Sequence, residues 1–505
     1  MAIIFNEDPN HYIYTRYLAG KKALTEQDLR EFIHQYKNTY TTDFLVCLNA
    51  SQPFFPSKSQ KSIIDRYEEW EASGELEKRK GDPVVMSVGL LRDAYVSGLE
   101  FHRIWLDEIR KCGMRAWASV RMNDIHDAED PNAFLPSDFV KAHPEYLREA
   151  YRGPVTHPEY ALDYSFPAVR EHYFSLIAEI IETFDIDGLE LDFMREPYCF
   201  AIGREQEGLP IMTDFVGKIY ERIKSAEERL EHKIHLAVRV PGSPEKAMRL
   251  GFDVIEWVNQ NYVDSVFVTP HWSSSDGDMP IDLWRKIFCE KNVRIAAGLE
   301  ILLDAYNRRG RKYQNTDIRS AVGFACAYDA LGANDIYLFN FMDRAEKRES
   351  DILFGEKYTE LLTTIGDRGK MIYSPRRHVV TFCDTWMPAE TSKKPLPLTA
   401  YASENGTGGF AALRIPTGII PPGKRVTVVL GFERGGASGE DVAVYANCKK
   451  CRCLGVVCAE PPAYDDMDYF AYEVENDGKM PVVTMAEIGA RRGAATVHWA
   501  EIDVE

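Results

Sequence analysis

The sequence has no run of about 18 apolar residues, so no stretch reads as a membrane-spanning helix. Its opening, MAIIFNEDPNHYIY, lacks the charged, apolar, small order of a secretion signal. The default expectation is therefore the cytoplasm, with secretion left open for a chain whose leader was removed. No internal repeat and no low-complexity segment is evident. A Gly-x-Ser-x-Gly nucleophile elbow is missing, which removes the serine-hydrolase signature. Positive charge is scarce: 60 Lys and Arg stand against 78 Asp and Glu, a net charge of −18. Such a surface repels phosphate backbones and anionic lipid, so neither nucleic acid nor a membrane is an expected partner. Cysteine is sparse, ten in 505 residues. Six are scattered (Cys47, Cys112, Cys199, Cys289, Cys326, Cys383), several in apolar runs, as small buried hydrophobes of a reducing compartment.

What is present is alternation. Apolar runs recur at 44–51 (FLVCLNAS), 114–124, 186–194 (IDGLELDFM), 234–240, 264–272, 293–301 and 335–343. VVMSVG at 84–89 is the candidate for an eighth. Amphipathic stretches lie between them, at 101–112, 167–183, 211–229, 246–259, 281–290 and 315–331. Strand–helix alternation over this length reads as a parallel sheet, and eight units close into a (β/α)8 TIM barrel. A doubly wound open sheet is the alternative, but no glycine-rich phosphate loop follows any run. Residues 1–40 read as a leading segment with one helix, Thr25–Lys37. After Pro375 the texture changes to short β-type runs between Pro- and Gly-rich turns (HVVTFCDTW, GFAALRIP, KRVTVVLGF, VAVYANC, ATVHWAEI), the pattern of an antiparallel β-sandwich. The expected domains are 1–375, a catalytic barrel, and 376–505, an accessory sandwich.

In a barrel, chemistry belongs at the C-terminal strand ends, and side chains alternate along each strand. If Leu189, Leu191 and Phe193 face the helices, then Glu190, Asp192 and Met194 face the axis. Two inward carboxylates are costly to bury and need partners or a raised pKa. A structural salt-bridge pair is the plainer reading of Glu190. Polar or aromatic residues end most of the other strands: Asn49; Arg121, Asn123 and Asp124; Arg239; His271 and Trp272; Glu300; Asn340 and Asp343. This set suits glycoside hydrolysis, which needs two carboxyl groups across the scissile bond. Asp192 and Glu300 are the expected pair, with Glu196 and Asp343 in reserve. Asn49, Asn123, His271 and Trp272 are expected to bind sugar. Glu190, Arg121, Arg195 and Arg239 complete the charged surroundings, the arginines acting as counter-ions or as clamps for an acidic sugar. The expected partner is an oligosaccharide or polysaccharide. No cofactor and no metal is expected, and the sequence gives no oligomeric state.

The strand IDGLELDFMREP resembles the fourth-strand motif of glycosyl hydrolases of the family-10-like group, with an acidic strand end followed by an Arg-x-Pro turn. AWASVRMND and VDSVFVTPHW are similar to other strands of that group. Over roughly residues 40–350 the resemblance implies a (β/α)8 barrel acting on glycans, often with an appended sandwich. The same strand resembles the chitinase-type Asp-Gly-x-Asp-x-Asp-x-Glu motif, with Met194 at the position of the acid, which disfavours a proton donor there. Glu196-Pro197 and Glu300 are similar to retaining glycosidases that carry an acid/base after strand four and a nucleophile on strand seven, with Arg195 where an Asn is usual. Two other readings stay open: a sugar-binding protein on a degenerate hydrolase barrel, and a lyase or isomerase of acidic sugars with His271 as base.

Cys448, Cys451, Cys453 and Cys458 lie within eleven residues. Four thiolates can bind zinc, but the segment reads as a β-hairpin with a Lys-Lys turn, on which they would point to opposite faces. Surface thiols are the expectation.

Overall fold

A computed structural model describes residues 1–149, 157–271, 274–303, 314–343, 351–382, 394–402, 409–437, 439–461 and 463–505. Trp272 and Cys383 lie outside the described residues. Eight parallel strands close into a barrel: β1 (Ile3–Glu7), β2 (Thr41–Cys47), β3 (Arg115–Arg121), β4 (Gly188–Asp192), β5 (His235–Pro241), β6 (Ser265–Thr269), β7 (Arg294–Glu300) and β8 (Asp335–Phe339). β1 closes the ring by pairing with both β2 and β8. Helices cover the outer face, and no described helix is long and apolar enough to cross a membrane.

Seven strands fall where the apolar runs place them. The eighth does not. VVMSVG lies in the helix Pro83–Val96, started by Asp82, whose carboxylate caps the Val84 and Val85 amides, and by Pro83 in the first turn. The missing strand is the short Ile-Ile-Phe run of the leading segment, all of it buried. Within that segment Thr25 caps the Glu26–His34 helix, close to the expected span. The stretch 246–259 is two helices, Pro244–Arg249 and Val254–Asn259, because Gly251 takes φ +89° between them.

Inside and outside of the barrel wall follow the two-residue period. Leu189, Leu191 and Phe193 join the large core between sheet and helices, while Ile4, Leu45, Trp117, Ala237, Phe267, Ala296, Tyr337 and Phe339 fill the interior. Gly188 is required at the base of β4: a Cβ there would lie 2.3 Å from the Trp117 indole. The Asp-Gly of the fourth-strand motif thus makes room for a tryptophan.

The C-terminal region holds a five-stranded sheet (Arg376–Val379, Trp499–Val504, Val426–Glu433, Met467–Val474, Arg452–Val457) and a four-stranded sheet (Ala411–Pro416, Val483–Ala490, Val442–Ala446, Lys449–Lys450), all antiparallel. They enclose a core of their own, including Val428, Leu430, Val444, Ile488 and Ile502. Val379, Val429, Tyr469 and Trp499 belong instead to the outer core of the barrel. The expected Lys-Lys turn is displaced: the two lysines pair with Tyr445 and Ala446, and Asn447 and Cys448 make the turn at φ +49° and +66°. The reason is local, since Asn tolerates the left-handed region better than Lys. Cys451 is buried while Cys448, Cys453 and Cys458 are exposed, and among the described residues the four thiols form no metal cluster.

Candidate active site at the barrel mouth

The alternation that buries Leu189 and Leu191 outside the barrel brings Glu190 and Asp192 inside it. Glu190 is fully buried and accepts hydrogen bonds from Ser119 on β3 and Asn6 on β1, the latter at 3.2 Å. Burial pushes its carboxyl up to about 8, and the neighbouring Asp192 charge adds to the effect. Asp192, one step nearer the mouth, is ion-paired with Arg239 of β5 at 3.0 Å and accepts the Met194 and Arg195 amides at 2.8 and 3.1 Å. It therefore pins the turn after β4 as well as holding a charge.

Arg239 is the centrepiece of this layer. Its guanidinium bonds Asp192, donates to Thr269 on β6 at 3.2 Å, and lies 3.6 Å from the Phe339 ring centroid on β8. A planar cation that satisfies a carboxylate at its edge and an aromatic ring at its face spans the interior from β5 to β8.

Glu300 ends β7. Both its oxygens accept from the Asn340 amide, at 3.0 and 3.1 Å, and Oε1 also accepts the Ile301 amide. Asn340 follows β8 at φ +60°, which aims its side chain back at the neighbouring strand end. No described ion pair involves Glu300. Burial pushes its carboxyl up to about 7, against the Asn340 hydrogen bond and the more distant charges of Arg239 and Arg195.

Glu196 and His271 sit together on the rim, buried, with Oε2 and Nε2 3.8 Å apart. The His271 ring stands 6.1 Å from that of Tyr198. His271 and Met194 line a small hollow bordered by Ser243, Lys246, Asp276 and Pro280. The same four residues border a cavity of about 430 Å³, whose far wall is Val379, Val380, Ile415 and Pro416 of the C-terminal region.

The other expected residues have different employments. Asp343 is drawn away from the axis by Arg16 at 3.1 Å, next to the buried Glu7. Asn49 spends its amide on the Ala50 and Arg121 carbonyls and its oxygen on the Arg121 amide, stitching β2 to β3. Asn123 does the same for the Leu162 and Tyr198 backbone. Arg121 pairs with Asp8 at 2.6 Å and Asp124 at 3.1 Å. Arg195 lies against His126 and Asp124. Against the cost of burial, His126, Arg121 and Arg195 hold Asp124 well below the carboxylate range. Of the three arginines only Arg239 pairs with an acid of β4, Asp192, as a counter-ion; Arg121 and Arg195 turn instead to Asp8 and Asp124. Trp272, expected to stack on sugar, lies outside the described residues.

Sequence reasoning passed over Asn6, Ser119, Tyr337 and Phe339, which complete the polar layer. The signal for Asn6 was present in Ile-Ile-Phe-Asn-Glu, an apolar run ending in polar residues, but it hung on seeing β1.

No family model matches the chain, and no curated protein matches it. Several solved structures are similar to it. An alpha-L-fucosidase isoenzyme 2 from Paenibacillus thiaminolyticus is 10% identical with a TM-score of 0.41, over 72% of this chain and 48% of that one. The chain thus spans about half the length of that protein. The PgaB (BpsB) glycoside hydrolase domain from Bordetella bronchiseptica is 11% identical at TM-score 0.45, over 73% of this chain and 99% of the other. An alpha-L-fucosidase isoenzyme 1 from P. thiaminolyticus is 12% identical at TM-score 0.36, over 98% and 96%. These neighbours are glycoside hydrolases, and at such identities and TM-scores the likeness says nothing of this chain's site or substrate.

Proposed function

We propose that the barrel hydrolyses a glycosidic bond in an oligosaccharide or polysaccharide, with Glu300 as proton donor and Asp192 as the opposing carboxylate. One observation carries this reading. Two inward carboxyl groups at the mouth, on β4 and β7, sit in opposite electrostatic settings: Asp192 is ion-paired with Arg239, while Glu300 has only neutral hydrogen-bond donors and titrates near 7. A buried acid raised toward neutrality is suited to deliver a proton, and a carboxylate fixed by a guanidinium on another strand supplies the second group. Glu300 delivers its proton to the glycosidic oxygen as the bond to the anomeric carbon breaks. Asp192 meets the positive charge that develops on the sugar, and water then forms the new bond to the anomeric carbon, its proton returning to the Glu300 carboxylate. Glu196, beside His271 on the rim, is the reserve carboxylate.

The test is hydrolysis by Glu300→Gln across an oligosaccharide panel and a matched set of aryl glycosides. Loss of a general acid costs about 10²–10⁴-fold on unactivated glycosides. Glycosides with an acidic phenol as leaving group need little protonation and lose far less. The basic limb of the pH profile, near 7 in the parent, disappears. Equal losses on both substrate sets would remove Glu300 from this role. Saccharide binding with no turnover by the unaltered chain would favour the sugar-binding alternative.

A further inference from the structure

Away from the mouth, three side chains with metal-binding chemistry meet on the outer ring of helices. The Glu26–His34 helix precedes β2, the Phe101–Lys111 helix precedes β3, and the two pack together. Glu108 and Cys112 are four residues apart at the end of the second helix, which sets them on one face. His34, the last residue of the first helix, reaches across to them. The ligand atoms of His34, Glu108 and Cys112 all lie within 4.8 Å of one another, and they are the one such group among the described residues. His34 Nε2 is 2.7 Å from Glu108 Oε1. The other carboxylate oxygen is held by Arg30 at 2.5 Å, and Arg30 is anchored in turn on Glu26 and Asp107. Arg30 therefore fixes the carboxylate plane and leaves Oε1 turned toward the histidine, the kind of support that outer residues give a metal ligand.

We propose that His34 Nε2, Glu108 Oε1 and Cys112 Sγ form a zinc site with a fourth position open to water. A nitrogen, a carboxylate oxygen and a thiolate are the donors zinc takes, at bonds of about 2.0–2.3 Å. Tetrahedral coordination at those lengths sets the donor atoms roughly 3.3–3.7 Å apart. The His34–Glu108 pair, at 2.7 Å, must open slightly, and side-chain rotation brings the three donors, all within 4.8 Å of one another, to these spacings. Coordination uses the Nδ1–H tautomer of His34 and releases the Cys112 thiol proton to solvent. Glu108 is buried, Cys112 half-buried and His34 exposed, so the ion enters from the histidine side. The bound ion would tie together two helices that sequence separates by more than sixty residues. This site is independent of the hydrolase reading.

The experiment is a titration of the chelator-treated full chain with Co²⁺ as a spectroscopic probe, followed by displacement with Zn²⁺. The expected result is a saturable sulfur-to-cobalt charge-transfer band at one equivalent, removed by zinc. Cys112→Ser abolishes the band, and His34→Ala weakens cobalt binding at least tenfold. His34 is exposed, so its variant is expected to fold, and an unchanged metal-free melting temperature confirms that. A band that survives in Cys112→Ser, from exposed Cys448, Cys453 or Cys458, overturns the assignment. So does a titration with no saturable thiolate band.

Discussion

The two ends of the barrel bury acids equally deeply and treat them in opposite ways. At the lower end Asp43 on β2 is completely enclosed, yet it faces Arg115 at 2.7 Å and Arg294 at 2.8 Å, and the Trp117 indole donates to it at 2.9 Å. Against burial, which would raise it, the Arg294 and Arg115 guanidiniums hold Asp43 below the usual range. At the upper end Glu190 and Glu300 are buried just as fully, and their nearest partners are a serine and two asparagines. Their pKa values rise. Burial alone therefore does not decide the protonation state of these acids; the presence of a fixed cation within bonding distance does. The lower end uses charge to close the barrel; at the upper end Asp192 and Asp124 keep their cations, while Glu190 and Glu300 have none within bonding distance and are raised toward neutrality, a setting suited to chemistry.

That contrast can be broken most severely from below. Asp43→Ala strips Arg115 of this partner and leaves Arg294 with Asp335 alone, at 2.6 Å. Removing one member of a buried ionic cluster costs about 3–5 kcal/mol, read as a drop in melting temperature at neutral pH that shrinks as pH falls through the range where Asp43 takes up a proton. The corresponding change above has the opposite sign. Folded Glu190 and Glu300 bind protons more tightly than the unfolded chain, whose carboxyls titrate near 4.5. Their stabilising contribution is complete below about pH 4.5 and is lost as pH rises through 7 to 8. Glu190→Gln should therefore stabilise the fold at pH 8, by on the order of a few kcal/mol at most, read as a higher melting temperature, and change little at pH 4.5. A melting temperature that falls equally at both pH values would mean that Glu190 is held charged, as Asp43 is. The smallest effect sharpens the contrast at a single bond. Asn340→Gly suits φ +60° and deletes the donor that stabilises ionised Glu300. The basic limb of the activity profile should move upward by about one pH unit, measured as kcat/KM against pH.

The sequence carried the upper end of this contrast further than the lower. The inward parity of Glu190 and Asp192 is legible in Leu-Glu-Leu-Asp-Phe, because a period of two leaves only one way to bury three large apolar residues. Their partners are not legible. Arg239 was equally compatible with a clamp or a counter-ion until β5 was set beside β4, with Asp192 in register with it. Asn49 and Asn123 resemble ligand-binding residues in sequence, and only the backbone groups opposite them reveal a stitch between strand ends at Asn49 and one between connecting segments at Asn123. β1 was hidden by its length, five residues followed at once by a helix. Without it, Asn6 had no place in the site and the ring had to be closed with VVMSVG, whose apolar residues serve a helix. The His34, Glu108 and Cys112 group is non-local, and no spacing rule brings a residue before β2 to one before β3.

The Arg239 guanidinium, over the Phe339 ring and bonded to Asp192, also occupies the barrel interior at the level of the β4 strand end. Widening the interior there would require a smaller residue at 239, and the same change would strip Asp192 of its counter-ion and withdraw a positive charge from Glu190 and Glu300. Space and acidity are thus one variable in this barrel. An engineer reshaping it for a bulkier sugar would change its working pH in the same step.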